Sequence, residues 1–276
     1  MSLTWVNGVR CDALDAADRG LAFGDGVFET MRLVSGRIPL QELHLDRLQH
    51  GASVLAIGFD RGAIESELSA FLQRIDEPSD GVIKLMLTRG SAGMGYRGEQ
   101  FSTPTRILRR LPPRSLDEAL YQHGAELRIC RTRLGSQPIL AGIKHLNRLE
   151  QVLARNEWSD DSIFEGLMLD EHGSVIEGVS TNLFIVSGGR LLTPVLDHCG
   201  VNGVMRTLIL ERVAPWLGIP VSETRLVQAT IAGAQEVFIC NSVIGVVPVS
   251  KLGSTQWRKG VITTAVQQRV NEVFVD

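Results

Sequence analysis

Lysine is scarce in this sequence, which narrows the search for a reactive amine. The lysines are Lys84, Lys144, Lys251 and Lys259. Lys144 follows the mostly apolar segment 139–143 and stands just before a predicted helix. A lysine removed from water has a lowered pKa, and its neutral amine can attack a carbonyl carbon. Lys144 is therefore a candidate nucleophile, although a lysine whose stem lies along an apolar surface would have the same sequence context.

Among the other lysines, Lys251 and Lys259 are predicted to be solvated, and Lys84 is left open. Lys84 lies in the strand-like segment 82–87, where an alternation of period two can place it on the exposed face. Lys251 and Lys259 lie in polar, turn-rich sequence. Lys84, like Lys144, is not decisive when taken alone.

Two segments contain residue types that bind phosphate. Gly203 opens an amphipathic helix, and the free N–H groups at a helix start attract anions, although a tight turn has the same pattern. His44 and Arg47 are one helical turn apart, and the planar guanidinium of Arg47 suits a phosphate. Taken alone, this basic pair predicts a solvated helix face.

A carboxylate at a strand end completes the candidate residues. Glu177 precedes Gly178 at the end of a predicted strand, and three polar residues follow before the next apolar strand, namely Ser180, Thr181 and Asn182. Taken alone, Glu177 predicts only a solvated strand terminus. Glu177 becomes a candidate functional residue when it is considered together with Lys144 and the phosphate-binding segments.

Composition excludes several other classes of function. A net charge of -3 gives no bulk attraction for nucleic acid or an anionic membrane. The sequence has no Gly-x-Ser-x-Gly elbow and no histidine pair with metal-ligand spacing, so we predict no metal site. The four cysteines are far apart, no apolar run approaches the roughly 20 residues of a membrane span, and the first residues do not resemble a signal peptide. We predict a soluble, cytoplasmic protein that binds a small molecule.

Hydrophobic periodicity predicts an α/β (α+β) protein with two domains. The segment 112–115, Pro-Pro-Arg-Ser, breaks the periodicity, so residues 112–122 are the predicted linker between an α/β domain at 1–111 and a larger domain at 123–276 with mixed or antiparallel sheet. Strands are predicted at about 4–10, 27–34, 82–88, 105–111, 126–131, 166–170, 175–186, 221 and 236–240. Helices are predicted at about 45–55, 60–75, 145–157 and 203–216, with a short one after 221 and another at the C-terminus.

Taken together, these segments resemble the fold-type IV pyridoxal-phosphate (PLP) enzymes. This family contains branched-chain aminotransferases, D-amino-acid aminotransferases and aminodeoxychorismate lyases. The resemblance covers essentially the whole chain, and the motifs occur in the family's order. They are residues 23–32, 44–48, 140–150, 177–178 with 182–184, 203–206, and 241–242 before 247–249.

The resemblance implies a role for each candidate residue. Lys144 would bind PLP covalently as a Schiff base and move protons, and the Glu177 anion would keep the pyridine nitrogen protonated. The resemblance implies that Thr30, like Lys144, is a catalytic residue. The remaining cofactor contacts would come from Arg47, Ser180, Thr181, Asn182, Gly203, Val204, Met205 and Ser242. Arg32, Arg97 and Arg148 are candidates for binding substrate.

The segment 144–151 is more similar to aminodeoxychorismate lyases than to aminotransferases. The implied reaction converts 4-amino-4-deoxychorismate to 4-aminobenzoate and pyruvate, a step of folate biosynthesis, in a homodimer. Lyase relatives often have arginine where Met94 stands, and Arg97 lies close enough in sequence to substitute. Two alternatives remain: a branched-chain or D-amino-acid aminotransferase, and a non-catalytic binding protein of the same fold. The combination of Lys144, Glu177 and Arg47 argues against the non-catalytic alternative.

Overall fold

The computed structural model describes residues 3–75, 80–91, 93–99 and 102–275. The chain forms two compact units. The first comprises Met1–Arg114 and Ile143–Asn147, and the second comprises Ser115–Gly142 and Arg148–Asp276. The mixed α/β fold, with a smaller N-terminal unit and a larger unit that contains mixed sheet, is confirmed.

The first unit is an antiparallel sheet covered by helices. Its elements are β1 (Thr4–Val6), β2 (Val9–Arg10), α1 (Arg19–Phe23), β3 (Gly26–Leu33), α2 (Gln41–Val54), α3 (Arg61–Leu72), β4 (Gly81–Thr88) and β5 (Thr105–Leu111). The five strands have the order β2-β1-β5-β4-β3. Val27, Met31 and Leu33 alternate along β3 and pack with Leu45 and Leu48 of α2, because successive side chains of a strand point to opposite faces.

Two local signals of this unit act as predicted. Asn7 and Gly8 both have positive φ, at 50° and 79°, as a tight hairpin turn between β1 and β2 requires. The side chain of Asp60 accepts a hydrogen bond from the Ala63 N–H at 2.9 Å and so caps α3.

The second unit is built on a large mixed sheet. Its elements are α4 (Glu118–His123), β6 (Ala125–Leu134), α5 (Leu149–Arg155), β7 (Ile163–Asp170), β8 (Val175–Gly178), β9 (Asn182–Ser187), β10 (Arg190–Pro194), α6 (Val204–Leu208), a π-helical turn (Ile209–Val213), α7 (Ala214–Trp216), β11 (Val221–Thr224), α8 (Gln228–Ala232), β12 (Glu236–Asn241), β13 (Gly245–Leu252), β14 (Thr255–Gln256) and α9 (Val261–Val275). The strand order is β11-β10-β9-β12-β13-β6-β7-β8, and β14 pairs with β13. The core packs apolar side chains of these strands with Leu226, Ile231 and Trp257.

The structure differs from the sequence-based boundaries in three places. The segment 112–122, predicted as a linker, contains the start of α4, which belongs to the second unit. The segment Ile143–Asn147 belongs to the first unit, although its neighbours on both sides belong to the second. The helix predicted at 145–157 is limited to Leu149–Arg155, because residues 144–146 use their backbone groups to pair with the start of β3.

A lipid bilayer sets a minimum length and hydropathy for any of the described helices to cross it. None of them is both long and apolar enough to cross a membrane.

Candidate active site

Backbone hydrogen bonds to β3 fix the position of Lys144. The Phe28 N–H donates to the Lys144 carbonyl at 3.0 Å, and the Leu146 N–H donates to the Gly26 carbonyl at 2.9 Å. A β-bridge joins Val27 and His145 between these two bonds. The lysine therefore extends from a short strand-like segment that is paired with β3.

Two ammonium groups lie near the ring of Phe28. The Nζ of Lys144 is 4.5 Å from the ring centroid, and the Nζ of Lys84 is 5.2 Å from it. Lys84 is partly buried, and burial, followed by the charge of Arg109, lowers its pKa. Lys84 therefore does not lie on a fully solvated strand face.

The row of residues across these strands is cationic. Thr30 on β3 pairs with Lys84 on β4, which pairs with Arg109 on β5. Arg32 lies two residues beyond Thr30 and so shares its face of the strand with Thr30 and Phe28. This face of the first unit therefore combines an aromatic ring, a hydroxyl group and several cations.

The opposite face of β3 holds a buried carboxylate, Glu29, between two residues of α2. Arg47 donates from Nε to Oε1 at 2.8 Å and from Nη2 to Oε2 at 2.5 Å, and the Nδ1 of His44 lies 2.5 Å from Oε2. Burial alone would raise the pKa of Glu29, but the charges and hydrogen bonds of Arg47 and His44 lower it to about 2. Burial lowers the pKa of His44 more than Glu29 raises it.

The basic pair of α2 is therefore not a solvated helix face. His44 is buried, and only 12% of the Arg47 side chain is exposed. The role of Arg47 as a phosphate ligand stays a prediction. Any such ligand would meet a guanidinium whose orientation Glu29 already holds.

In the second unit, Glu177 and Asn182 both hold the backbone of Val201. The Val201 N–H donates to Oε2 of Glu177 at 2.8 Å, and Nδ2 of Asn182 donates to the Val201 carbonyl at 2.9 Å. Both side chains belong to buried residues at the ends of β8 and β9. Glu177 is therefore not the solvated strand terminus that it suggests when taken alone.

The start of α6 lies close to Asn182. Gly203 is the N-cap residue and makes no side-chain cap, and Val204 and Met205 in the first turn are buried. A Cβ built on Gly203 would lie 2.0 Å from Oδ1 of Asn182. Only glycine fits here, so the predicted glycine opening of a helix is confirmed as a structural feature.

Ser180 and Thr181 lie between β8 and β9 and donate their hydroxyl hydrogen bonds to Glu165 of β7, at 2.7 and 3.4 Å. Asn241 reaches the same connection, because its Nδ2 donates to the Ser180 carbonyl at 3.0 Å. Ser242 follows Asn241 and is buried. The structure thus joins Ser180 and Thr181 in one hydrogen-bonded group with Asn241, the residue before Ser242.

The remaining predicted substrate residues have different surroundings. Arg97 is exposed in the loop after β4, where Arg19 donates to the carbonyl oxygens of Gly95 and Tyr96 at 2.8 and 3.2 Å. Arg148 is partly buried and is the residue before α5, in the second unit. The roles of Arg97 and Arg148 toward substrate stay predictions.

Sequence reasoning missed Glu29, Lys84 and Glu165 as members of these neighbourhoods. Glu29 had a usable signal, because it alternates in phase with the apolar residues of β3 and so must point into the core. A carboxylate on such a face requires a cationic partner. Lys84 and Glu165 had no comparable local signal, because their partners come from other strands.

Comparison with known proteins decides the family. The model of amino-transferase class IV matches residues 26–252. The chain belongs to this family. An aminodeoxychorismate lyase from Vibrio harveyi is similar, with 34% identity over 254 residues, which cover 91% of this chain and 92% of that protein.

Solved structures of class IV proteins agree with this assignment. The crystal structure of 4-amino-4-deoxychorismate lyase from Pseudomonas aeruginosa has a TM-score of 0.94 and 46% identity, and the match covers 98% of each chain. A hypothetical aminotransferase from Mycobacterium tuberculosis, solved in a PLP-bound form, has a TM-score of 0.85 at 20% identity, covers 99% of each chain and shows the shared fold. The predicted family and its cofactor, PLP, are confirmed.

The residues of this class IV protein fit PLP chemically. Lys144 supplies a primary amine, and Glu177 supplies a buried carboxylate held by a backbone N–H. The start of α6 supplies backbone N–H groups beside Gly203, where a Cβ would not fit. An aldehyde, a pyridine nitrogen and a phosphate require this set of partners.

The buried carboxylate of β3 allows a test of its role in stability. We expect Glu29→Gln to lower the free energy of unfolding at pH 7 by about 3 to 5 kcal/mol, because a buried Arg47 would lose its anion. A carboxyl whose pKa is lowered by folding stabilises the protein above its unfolded pKa, and that stabilisation is lost as the pH falls. For Glu29 the loss occurs between the ordinary value of 4.5 and about 2.

Urea unfolding of both proteins from pH 7 to pH 2.5 measures this difference, which should shrink as the pH falls. Glu42→Gln is the matched control, because Glu42 is an exposed carboxylate on α2, the helix that carries Arg47 and His44. It should change the free energy by less than about 1 kcal/mol. Equal stabilities of Glu29→Gln and the wild type at pH 7 would contradict the role of the buried pair.

Proposed function

We propose that this protein is a PLP-dependent lyase that converts 4-amino-4-deoxychorismate to 4-aminobenzoate and pyruvate. The observation that carries the proposal is the 46% identity to a 4-amino-4-deoxychorismate lyase structure over 98% of both chains. The identity to the Vibrio harveyi lyase over 91% of the chain supports it independently. The two products together contain every atom of the substrate, so the reaction needs no second substrate.

The chain's own residues divide the work of this reaction. Bound PLP supplies an electron sink that stabilises negative charge on the ring carbon next to the substrate amine. Lys144 would bind the cofactor and move the proton at C4 of the substrate ring. Glu177 would keep the pyridine nitrogen protonated, because an anion stabilises an adjacent cation. Release of the enolpyruvyl group as pyruvate leaves an aromatic ring, whose stability drives the reaction.

Several residues are proposed as ligands of the cofactor phosphate. Arg47 offers a guanidinium whose direction is set by Glu29. The first turn of α6, at Gly203, Val204 and Met205, offers backbone N–H groups, and Ser242 offers a hydroxyl. Ser180, Thr181 and Asn182 hold the backbone around Glu177.

The cationic face of the first unit suits a substrate with two carboxylates. Lys84 and Arg109 lie in one cross-strand row with Thr30. The Nζ atoms of Lys84 and Lys144 both lie near the ring of Phe28. We propose Lys84 as a substrate-carboxylate ligand beside Thr30. Arg32, Arg97 and Arg148 remain proposed ligands, because guanidinium groups bind carboxylates in a bidentate manner.

An aminotransferase for branched-chain or D-amino acids is the second candidate, supported by the match to the amino-transferase class IV family. Such an enzyme needs a 2-oxo acid to accept the amine. The two candidates therefore differ in their requirement for an acceptor, which a single assay can measure.

We further propose that the protein is a cytoplasmic homodimer. Leu149, Val152 and Leu153 lie on one face of α5 and are 76%, 52% and 61% exposed. Exposure of such an apolar helix face to water is energetically unfavourable. We propose that a second copy of the chain packs against it. The four cysteines are free, which fits a reducing compartment.

The lyase proposal predicts equimolar 4-aminobenzoate and pyruvate from aminodeoxychorismate without any 2-oxo acid. The assay uses purified, PLP-loaded protein and follows both products by absorbance. Lys144→Ala should abolish product formation and the absorbance of covalently bound cofactor, while Lys251→Ala, which changes a lysine on β13, should leave both unchanged. A silent assay with PLP converted to its amine form by ordinary amino acids would favour the aminotransferase.

The role of Lys84 predicts a change in substrate affinity. Lys84→Gln should raise KM for aminodeoxychorismate roughly tenfold, because one charged hydrogen bond contributes about 1.5 kcal/mol. Lys251→Gln serves as the control, since Lys251 pairs with Glu126 in the second unit. An unchanged KM in Lys84→Gln would remove Lys84 from the substrate ligands.

The dimer proposal predicts that a charge on the α5 face produces monomers. Leu153→Glu should shift the molar mass measured by light scattering from that of two chains to that of one. Val261→Glu, at an even more exposed apolar residue at the start of α9, should leave the mass unchanged. A wild-type protein that is monomeric at all concentrations would refute the proposal.

A further inference from the structure

Glu165 is a buried carboxylate on β7 to which the proposed reaction assigns no role. Burial has the largest effect on its pKa and raises it, although four hydrogen-bond donors act in the opposite direction. The donors are the Gly166 N–H at 3.0 Å, the Ser180 N–H at 3.1 Å, the Ser180 hydroxyl at 2.7 Å and the Thr181 hydroxyl at 3.4 Å. Three of the four donors therefore come from the connection between β8 and β9.

That connection is a closed and tightly packed turn. The Gly178 N–H donates to the Thr181 carbonyl at 2.7 Å. A Cβ on Gly178 would lie 2.2 Å from Oγ1 of Thr181 and 3.0 Å from Cγ of Glu165. The carboxylate and the turn therefore pack against each other with no room for a methyl group.

The turn separates two residues that both hydrogen-bond to the backbone of Val201. Glu177 stands before it and accepts from the Val201 N–H, and Asn182 stands after it and donates to the Val201 carbonyl. Val201 lies just before Gly203, the N-cap of α6. A shift of the turn would therefore move Glu177 relative to Asn182 and to the start of α6.

We propose that Glu165 is a positioning residue that acts through the Ser180–Thr181 turn to orient the carboxylate of Glu177. This inference rests on the proposed function, which assigns Glu177 to the pyridine nitrogen of PLP. Without Glu165, the N–H of Ser180 and both hydroxyls lose their common acceptor. The turn then relaxes, and Glu177 no longer has a single orientation.

The test compares Glu165→Ala and Glu165→Gln with the wild type in PLP binding and in the absorbance of the bound cofactor. Glu165→Ala should bind PLP roughly tenfold more weakly, as expected when the acceptor of several buried hydrogen bonds is lost. The absorbance band of its bound PLP should also titrate at a different pH from that of the wild type, because Glu177 tunes the ring. Glu165→Gln should show smaller changes in both, because its amide oxygen still accepts from Ser180.

Glu236→Ala is the matched control. Glu236 is another buried carboxylate of the second unit, and it accepts the backbone N–H groups of Ile262 and Thr263 at the start of α9. Its removal should lower the thermal midpoint without changing PLP affinity or the absorbance band. A purely structural role of Glu165 would produce this same behaviour in Glu165→Ala.

The inference is overturned if Glu165→Ala binds PLP with the affinity and absorbance band of the wild type. If Glu165→Ala does not fold, the nearly isosteric Glu165→Gln decides by the same two measurements. A wild-type protein that forms no 4-aminobenzoate refutes the proposed function instead. An active wild type with unaffected Glu165 variants refutes only the positioning role.

Discussion

The position of the reactive amine depends on the pairing of the Lys144 segment with β3. Two backbone hydrogen bonds join this segment to residues 26 and 28. Gly26 permits this close approach, because a Cβ there would lie 2.7 Å from Cδ1 of Leu146 and 2.6 Å from the Leu87 carbonyl oxygen. The lysine is therefore held by a strand and not by a helix, and rigid elements hold side chains more accurately than loops do.

β3 supports two kinds of chemistry because its side chains alternate between faces. One face carries Phe28, Thr30 and Arg32, and the other carries Glu29 among apolar residues. Burial of Glu29 is energetically unfavourable by itself, since a carboxylate in the core is tolerated only with cationic and hydrogen-bonding partners. Arg47 and His44 supply them, and the same strand then orients residues of α2 as well as those of the cationic face.

Periodicity and cap signals predicted most elements of the fold. The hairpin at Asn7-Gly8, the capped α3 and the strands 27–34, 82–88 and 105–111 follow from rules that act over a few residues. The predicted helix at 145–157 began too early, because pairing of residues 144–146 with a strand more than a hundred positions earlier overrides local helix propensity. Tertiary partners of this kind have no local signature.

The candidate site likewise contains residues that have a recognisable sequence signal and residues that have none. Lys144, Glu177 and Gly203 could be found because their types and neighbours resemble a family pattern, and the family is confirmed. Glu165 could not be found, because its donors are at residues 166, 180 and 181 and only the sheet brings them together. Reasoning from a single sequence therefore identifies residues that meet a ligand more readily than the residues that support them.

The assignment of Ile143–Asn147 to the first unit has a consequence for dissecting the protein. The chain leaves the second unit after Gly142 and returns to it at Arg148. A gene fragment ending at Arg114 would therefore encode most of the first unit. It would lack Lys144 and the rest of the segment that pairs with the start of β3. Expression of the two units as separate pieces requires a rearranged gene in which residues 143–147 are attached to the N-terminal piece.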